Sequence, residues 1–108
     1  MSKEKSLATM QKEVDSWAQQ FKKPYFAPLS ILAASIEELG EIARILNDMY
    51  GDKPKKSIDE LSDLRKEVSD LIFNLICLAN SEKIDLSVGW EEKMVKVNKR
   101  DIDRFEKK

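Results

Sequence analysis

Between Pro28 and Gly51 the chain carries one glycine, no second proline, and apolar residues that recur every three or four positions. This pattern requires a long helix. Pro28 suits its first turn, and Gly51 can end it after Tyr50. Leu29, Leu32, Ile36, Leu39, Ala43, Leu46 and Tyr50 form a main stripe close to a heptad seam. Ile31, Ile42, Ile45 and Met49 form a second stripe. A helix apolar on two sides must be covered on two sides. Gly40 sits mid-helix, where it costs about 1 kcal/mol against alanine; it either leaves room for a neighbouring helix or ligand or is a tolerated weak spot.

Glycine and proline are scarce, at three each, and the stretches between them are also periodic. A first helix is expected from about Ser6 to about Phe21, with Leu7, Met10, Val14, Trp17 and Phe21 on one side. Lys22-Lys23-Pro24-Tyr25-Phe26 breaks it. Gly51-Asp52-Lys53-Pro54-Lys55-Lys56 is a loop. Ser57-Ile58-Asp59-Glu60 has the form of a capping box and opens a third helix ending near Ser81. That helix sets Leu61, Leu64, Val68, Leu71, Ile72, Leu75 and Leu78 against Glu60, Asp63, Glu67, Asp70 and Asn74. Lys83-Ile84-Asp85-Leu86 is a connector, and a fourth helix runs from about Ser87 to about Ile102. No strand alternation and no internal repeat is visible. The expectation is an all-α, four-helix bundle, one domain over residues 1–108. Its two-faced helices leave more apolar surface than one such chain can cover, so it is expected to be completed by homo-oligomerisation.

Composition narrows the chemistry. Lys and Arg number 19 against 20 Asp and Glu, for a net charge of −1. Nothing here suggests a polymeric nucleic-acid partner or a membrane-surface helix. No apolar run approaches the ~20 residues of a membrane span, and the N-terminus does not read as a signal peptide. One cysteine, Cys77, fits a reducing, cytoplasmic setting. It reads as a small buried hydrophobe, and Trp90 reads as packing. Histidine is absent, which removes Ser–His and Cys–His nucleophile systems and the Glu-x-x-His motif of di-iron bundles. Carboxylates, a metal, and Lys or Arg remain.

The carboxylates are patterned. Glu37-Glu38-Leu39-Gly40-Glu41 lies on the second helix and Glu67-Val68-Ser69-Asp70 on the third. Positions three apart share a helix face, so Glu38 pairs with Glu41 and Glu67 with Asp70. Glu38 also falls within the second apolar stripe, which places it between helices. Four such carboxylates at one point repel each other strongly unless a cation joins them. Their hard oxygens favour Mg²⁺ or Mn²⁺ over zinc.

This constellation resembles the signature of MazG-like nucleoside triphosphate pyrophosphohydrolases, in the all-α NTP pyrophosphatase superfamily. The resemblance rests on Glu37-Glu38-x-x-Glu41 and Glu67-x-x-Asp70. Its context includes Asp70-Leu71-Ile72-Phe73-Asn74-Leu75-Ile76, Ile84-Asp85-Leu86 and Lys96-Val97-Asn98-Lys99-Arg100-Asp101. It implies Mg²⁺-dependent cleavage of an NTP or dNTP between the α- and β-phosphates, giving a nucleoside monophosphate and pyrophosphate, as in nucleotide-pool house-cleaning. It implies Glu38, Glu41, Glu67 and Asp70 as metal ligands and Glu37 as an outer group or the catalytic base that orients water. It implies Lys96, Asn98 and Arg100 as phosphate contacts, and a homodimer or homotetramer. After Arg100 the chain reads Asp-Ile-Asp-Arg-Phe where several relatives carry an Arg-Tyr-Pro-like ending, so Arg100 and Arg104 are alternatives. Trp17, Phe21, Tyr25 and Phe26 either stack on a nucleobase or close the core or a subunit interface. Two other functions fit the pattern: a non-catalytic, dimeric nucleotide- or metal-binding bundle, and a phosphoribosyl-ATP pyrophosphatase.

Overall fold

The computed structural model describes residues 4–52 and 60–108, with side chains for 4–52 and 63–108. These residues form four helices and no strand: α1 (Leu7–Ala18), α2 (Pro28–Tyr50), α3 (Glu60–Ser81) and α4 (Leu86–Asp101). The Ser57–Glu60 capping box lies outside the described residues.

Local chemistry sets the helix ends. The Ser6 hydroxyl accepts from the Thr9 amide and caps α1. That helix stops at Ala18, short of Phe21, because Gln20 and Phe21 tighten to i−3 bonds on Trp17 and Ala18. Pro28 opens α2, and the Gly51 amide closes it on the Asn47 carbonyl. At the end of α3, Ile84 N–H reaches Ala79 O and Lys83 N–H reaches Asn80 O, with Lys83 at φ 57°. This is a Schellman closure with a lysine at the left-handed position glycine prefers. Asp85 accepts from the Ser87 and Val88 amides, so α4 starts one residue earlier than the sequence suggested.

The core is an α2–α3 pair with α1 laid across α3, while α4 packs on α1. Along α2 the buried positions are Ile31, Ser35, Ile45 and Asp48. The second stripe is therefore the one that meets α3. The main stripe points away: Leu29, Leu32, Ile36, Leu39, Leu46 and Tyr50 are all exposed, Leu29 to 80%. On α3, Ile76 and Ala79 are buried while Val68, Ile72 and Leu75 stay partly exposed. A Cβ at Gly40 would meet nothing within 4 Å among the described residues, so no other described helix approaches there. No described helix is long and apolar enough to cross a membrane.

One hydrogen-bond cluster ties the layers together. Gln11 of α1 donates through Nε2 to Asn80 Oδ1 and Ile84 O, and its Oε1 accepts from the Leu86 amide. Asn80 in turn donates to the Gln11 carbonyl and to the Tyr25 hydroxyl. The start of α4 is thereby fastened to α1, but α4 itself buries no residue.

Candidate functional site

Where α2 and α3 pack, Glu38, Glu67 and Asp70 each bring one carboxylate oxygen within 4.8 Å of the others. Among the described residues, no other set of three Asp, Glu or Cys side chains meets in this way. The cause is register: Glu38 sits between Ala34 and Ile42 on the inward face of α2, opposite the acidic face of α3. Its Oε2 is buried and has no hydrogen-bond partner, a costly state for a charged oxygen. The Glu38 acid is accordingly held up at about 7. The causes are a hydrogen bond to Glu67 that only the protonated form can donate, then loss of water, then the charges of Glu67, Asp70 and Glu41. A shared proton or a cation would satisfy that oxygen. Three closely spaced hard oxygens suit a divalent ion of the Mg²⁺ or Mn²⁺ kind.

The other acidic residues stand apart from this centre. Glu41 is exposed, and its Oε2 accepts from Arg44 Nε and Nη2 at 3.2 Å. Arg44 also reaches the buried Asp48 at 3.0 Å. Glu37 lies about 100° around α2 from Glu38 and is exposed. Asp63 is exposed as well, while Asn74 is half-buried one turn beyond Asp70.

A cavity of about 450 Å³ lies between α1, the connector after it, α2 and α3. Ala34 and Asn74 line it, and they are one helical turn from Glu38 and Asp70. Its walls are largely aromatic: Trp17 meets Phe21 and Phe73 edge-on, at 5.1 and 5.8 Å between ring centres. Tyr25 and Phe26 complete them, with Cys77 at the α3 side. Burial pushes the Cys77 thiol up from its ordinary value.

The phosphate contacts picked out in the sequence are elsewhere. Lys96, Asn98 and Arg100 are exposed on α4, the helix that packs on α1. Helical geometry puts Lys96 and Arg100 on one face and turns Asn98 about 200° away from Lys96. Asp101 accepts from both Arg100, at 3.1 Å, and Arg104, at 3.4 Å. Such exposed pairs are worth at most about 1 kcal/mol, so a phosphate can compete for either guanidinium.

The sequence profile of the MazG nucleotide pyrophosphohydrolase domain matches residues 26–105. The chain belongs to the MazG nucleotide pyrophosphohydrolase family. It is 44% identical over 105 residues to YpjD of Bacillus subtilis, an uncharacterised protein, covering 97% of this chain and 95% of that one. The crystal structure of YpjD superposes with a TM-score of 0.81 at 42% identity, over 90% of this chain and 99% of that one. A Bacillus-conserved MazG protein, a nucleotide pyrophosphohydrolase, superposes with a TM-score of 0.78 at 40% identity, over 94% and 99%. The protein is thus an all-α hydrolase of the MazG type.

Of the residues picked out in the sequence, this MazG fold assembles Glu38, Glu67 and Asp70. Glu41 pairs with Arg44 instead, Glu37 is exposed about 100° around α2 from Glu38, and the α4 residues lie on the helix that packs on α1. The sequence reading missed the hydrogen-bonded set Asp15–Tyr25–Asn80–Gln11. Tyr25 follows Pro24 in a helix break, the signal that its backbone turns back, but only the fold brings Asn80 to it.

Proposed function

We propose that this MazG domain hydrolyses nucleoside triphosphates between the α- and β-phosphates, giving a nucleoside monophosphate and pyrophosphate, with Mg²⁺ (or Mn²⁺) at Glu38, Glu67 and Asp70. The observation that carries this reading is the buried, partnerless Glu38 Oε2 facing two further carboxylates. A divalent ion there would neutralise triphosphate charge and lower the pKa of water. Glu41 is the fourth candidate ligand, available once it exchanges Arg44 for the ion. Glu37 takes the proton of the attacking water as the anhydride bond breaks. Lys96 and Arg100, on one face of α4, hold the phosphates. Asn98 contributes only from the opposite side of that helix.

The aromatic cavity supports a place for the base beside the metal site. One helical turn is about 5.4 Å, comparable to the span of a sugar between base and phosphates. Base stacking on such walls is worth about 1–3 kcal/mol.

A second copy of the chain belongs to the same proposal, as a homodimer or as a homotetramer of two dimers. The chain exposes 9278 Å², whereas a compact chain of this size exposes about 6,200 Å². Its radius of gyration is 17.3 Å, against about 13 Å for a compact fold. The outer α2 stripe and the unburied α4 are the surfaces that a second copy would cover, and the basic face of one copy could then serve the carboxylates of the other. A cytoplasmic location fits the unpaired Cys77.

The decisive experiment is pyrophosphate release from a panel of canonical, deoxy and damaged triphosphates, with phosphoribosyl-ATP included, in Mg²⁺ and in chelator. Mg²⁺-dependent release from at least one nucleoside triphosphate is expected. Release unaffected by chelator would overturn the metal assignment.

A further inference from the structure

Tyr25 is the partition between two hollows. On one side lies the aromatic cavity; on the other, an open groove of about 800 Å³ lined by Gln11, Asp15 and Asn80. Its ring and its hydroxyl are used differently. The hydroxyl donates to Asp15 Oδ1 at 2.6 Å and accepts from Asn80 Nδ2 at 3.1 Å. These partners come from α1 and from the end of α3, ten and fifty-five residues away. Asp15 is itself steadied by Gln19 at 3.2 Å, and Asn80 by Gln11. A tyrosine anchored at its tip by two helices cannot swing its ring without breaking both bonds.

We propose that Tyr25 is a positioning residue for base recognition: Asp15 and Asn80 fix its hydroxyl so that its ring stands as a rigid wall of the aromatic cavity. The proposal rests on reading that cavity as the base site. A hydrogen bond spent outside the cavity leaves the ring face pre-set, so a base meets a wall that need not be ordered on binding. The ionisation of the two partners agrees with this. Loss of water and the Asp15 hydrogen bond push the tyrosine up to about 12, and the Tyr25 and Gln19 hydrogen bonds hold Asp15 below its ordinary value. At neutral pH the donor stays protonated and the acceptor stays charged, which makes the bond a charge-assisted one. The flexible alternative, a loop aromatic free to close over any base, lacks this anchor.

The test compares wild type with Tyr25→Phe, Asp15→Asn and Trp17→Leu. Steady-state kcat and KM are measured for purine and pyrimidine triphosphates by pyrophosphate release, and inorganic tripolyphosphate serves as a base-free competitive inhibitor. Tyr25→Phe keeps the ring and removes the anchor. It is expected to raise KM for the preferred nucleotide about tenfold, the size of one charged hydrogen bond, and to narrow the preference among bases. It should leave kcat and the tripolyphosphate inhibition constant unchanged. Asp15→Asn should act in the same direction and less strongly, and it serves if Tyr25→Phe does not fold. Equal losses in kcat, KM and tripolyphosphate binding would make Tyr25 a structural residue only and overturn the proposal. A silent Tyr25→Phe beside a Trp17→Leu that raises KM would overturn Tyr25 alone. If all three variants leave KM unchanged for every nucleotide, the base-site reading falls and the proposal falls with it.

Discussion

Glu38 is the residue on which charge, burial and function meet. Its folded pKa is about 7 against an ordinary 4.5. Between those values the folded chain holds a proton that the unfolded chain has released. The contribution of this group to stability is therefore full below pH 4.5 and is lost as pH rises through 7. Thermal melts in chelator from pH 5 to 8 should show wild type losing ground against Glu38→Gln as pH rises; a constant difference between the two would remove the proton from Glu38. Divalent ion should abolish the loss, because it takes the place of the proton. Glu37 differs from its neighbour by a 100° turn and by exposure, so its variant should differ in kind. Glu37→Gln is expected to lower kcat by about 10²–10⁴ with metal affinity unchanged. Glu38→Gln should weaken metal binding first and recover partly in excess Mn²⁺. Metal titration of turnover separates the two, and equal loss of affinity would make Glu37 a ligand.

Helix boundaries were legible where their causes are local. The span of α2 follows from Pro28, Gly51 and the apolar period between them, and the pairing of Glu67 with Asp70 follows from three-residue spacing. What the sequence left open was which stripe forms the core, although Glu38 within the second stripe pointed to that side. Both stripes of α2 are apolar, and only the partner helix decides which is the core; it took Ile31 and Ile45 and left Ile36 and Leu39 outside. On α4 the three residues do not share a face: Asn98 is two positions from Lys96, and a continuous helix sends such positions to opposite sides. The aromatic cavity was only half legible, since its walls come from α1, the connector, α2 and α3 together. One boundary offers a stability test. Lys83 occupies the left-handed closing position of α3 at φ 57°, where a side chain costs about 1–2 kcal/mol. Lys83→Gly should raise the midpoint of denaturant unfolding without altering turnover; an unchanged or lowered midpoint would mean that the lysine side chain offsets the strain.

For the whole molecule, sedimentation tests the proposed second copy. Ile36→Glu, in the exposed stripe of α2, should leave helix content intact and shift sedimentation from dimer or tetramer to monomer. A wild type that sediments as a well-folded monomer at micromolar concentration would remove the second copy from the proposal. The Gln11 fork, the tie between the start of α4 and the rest of the chain, has a consequence in time. Because α2 and α3 are sequence neighbours that bury the core together, their pairing is expected early in folding, with α4 docking last. Gln11→Ala should therefore speed unfolding and leave the folding rate nearly untouched. Amide hydrogens of α4 should exchange with solvent well before those of α2 and α3. The helix that carries Lys96 and Arg100 is thus expected to open first among the four helices, on a clock of its own; exchange from α4 as slow as from α2 and α3 would sink the idea.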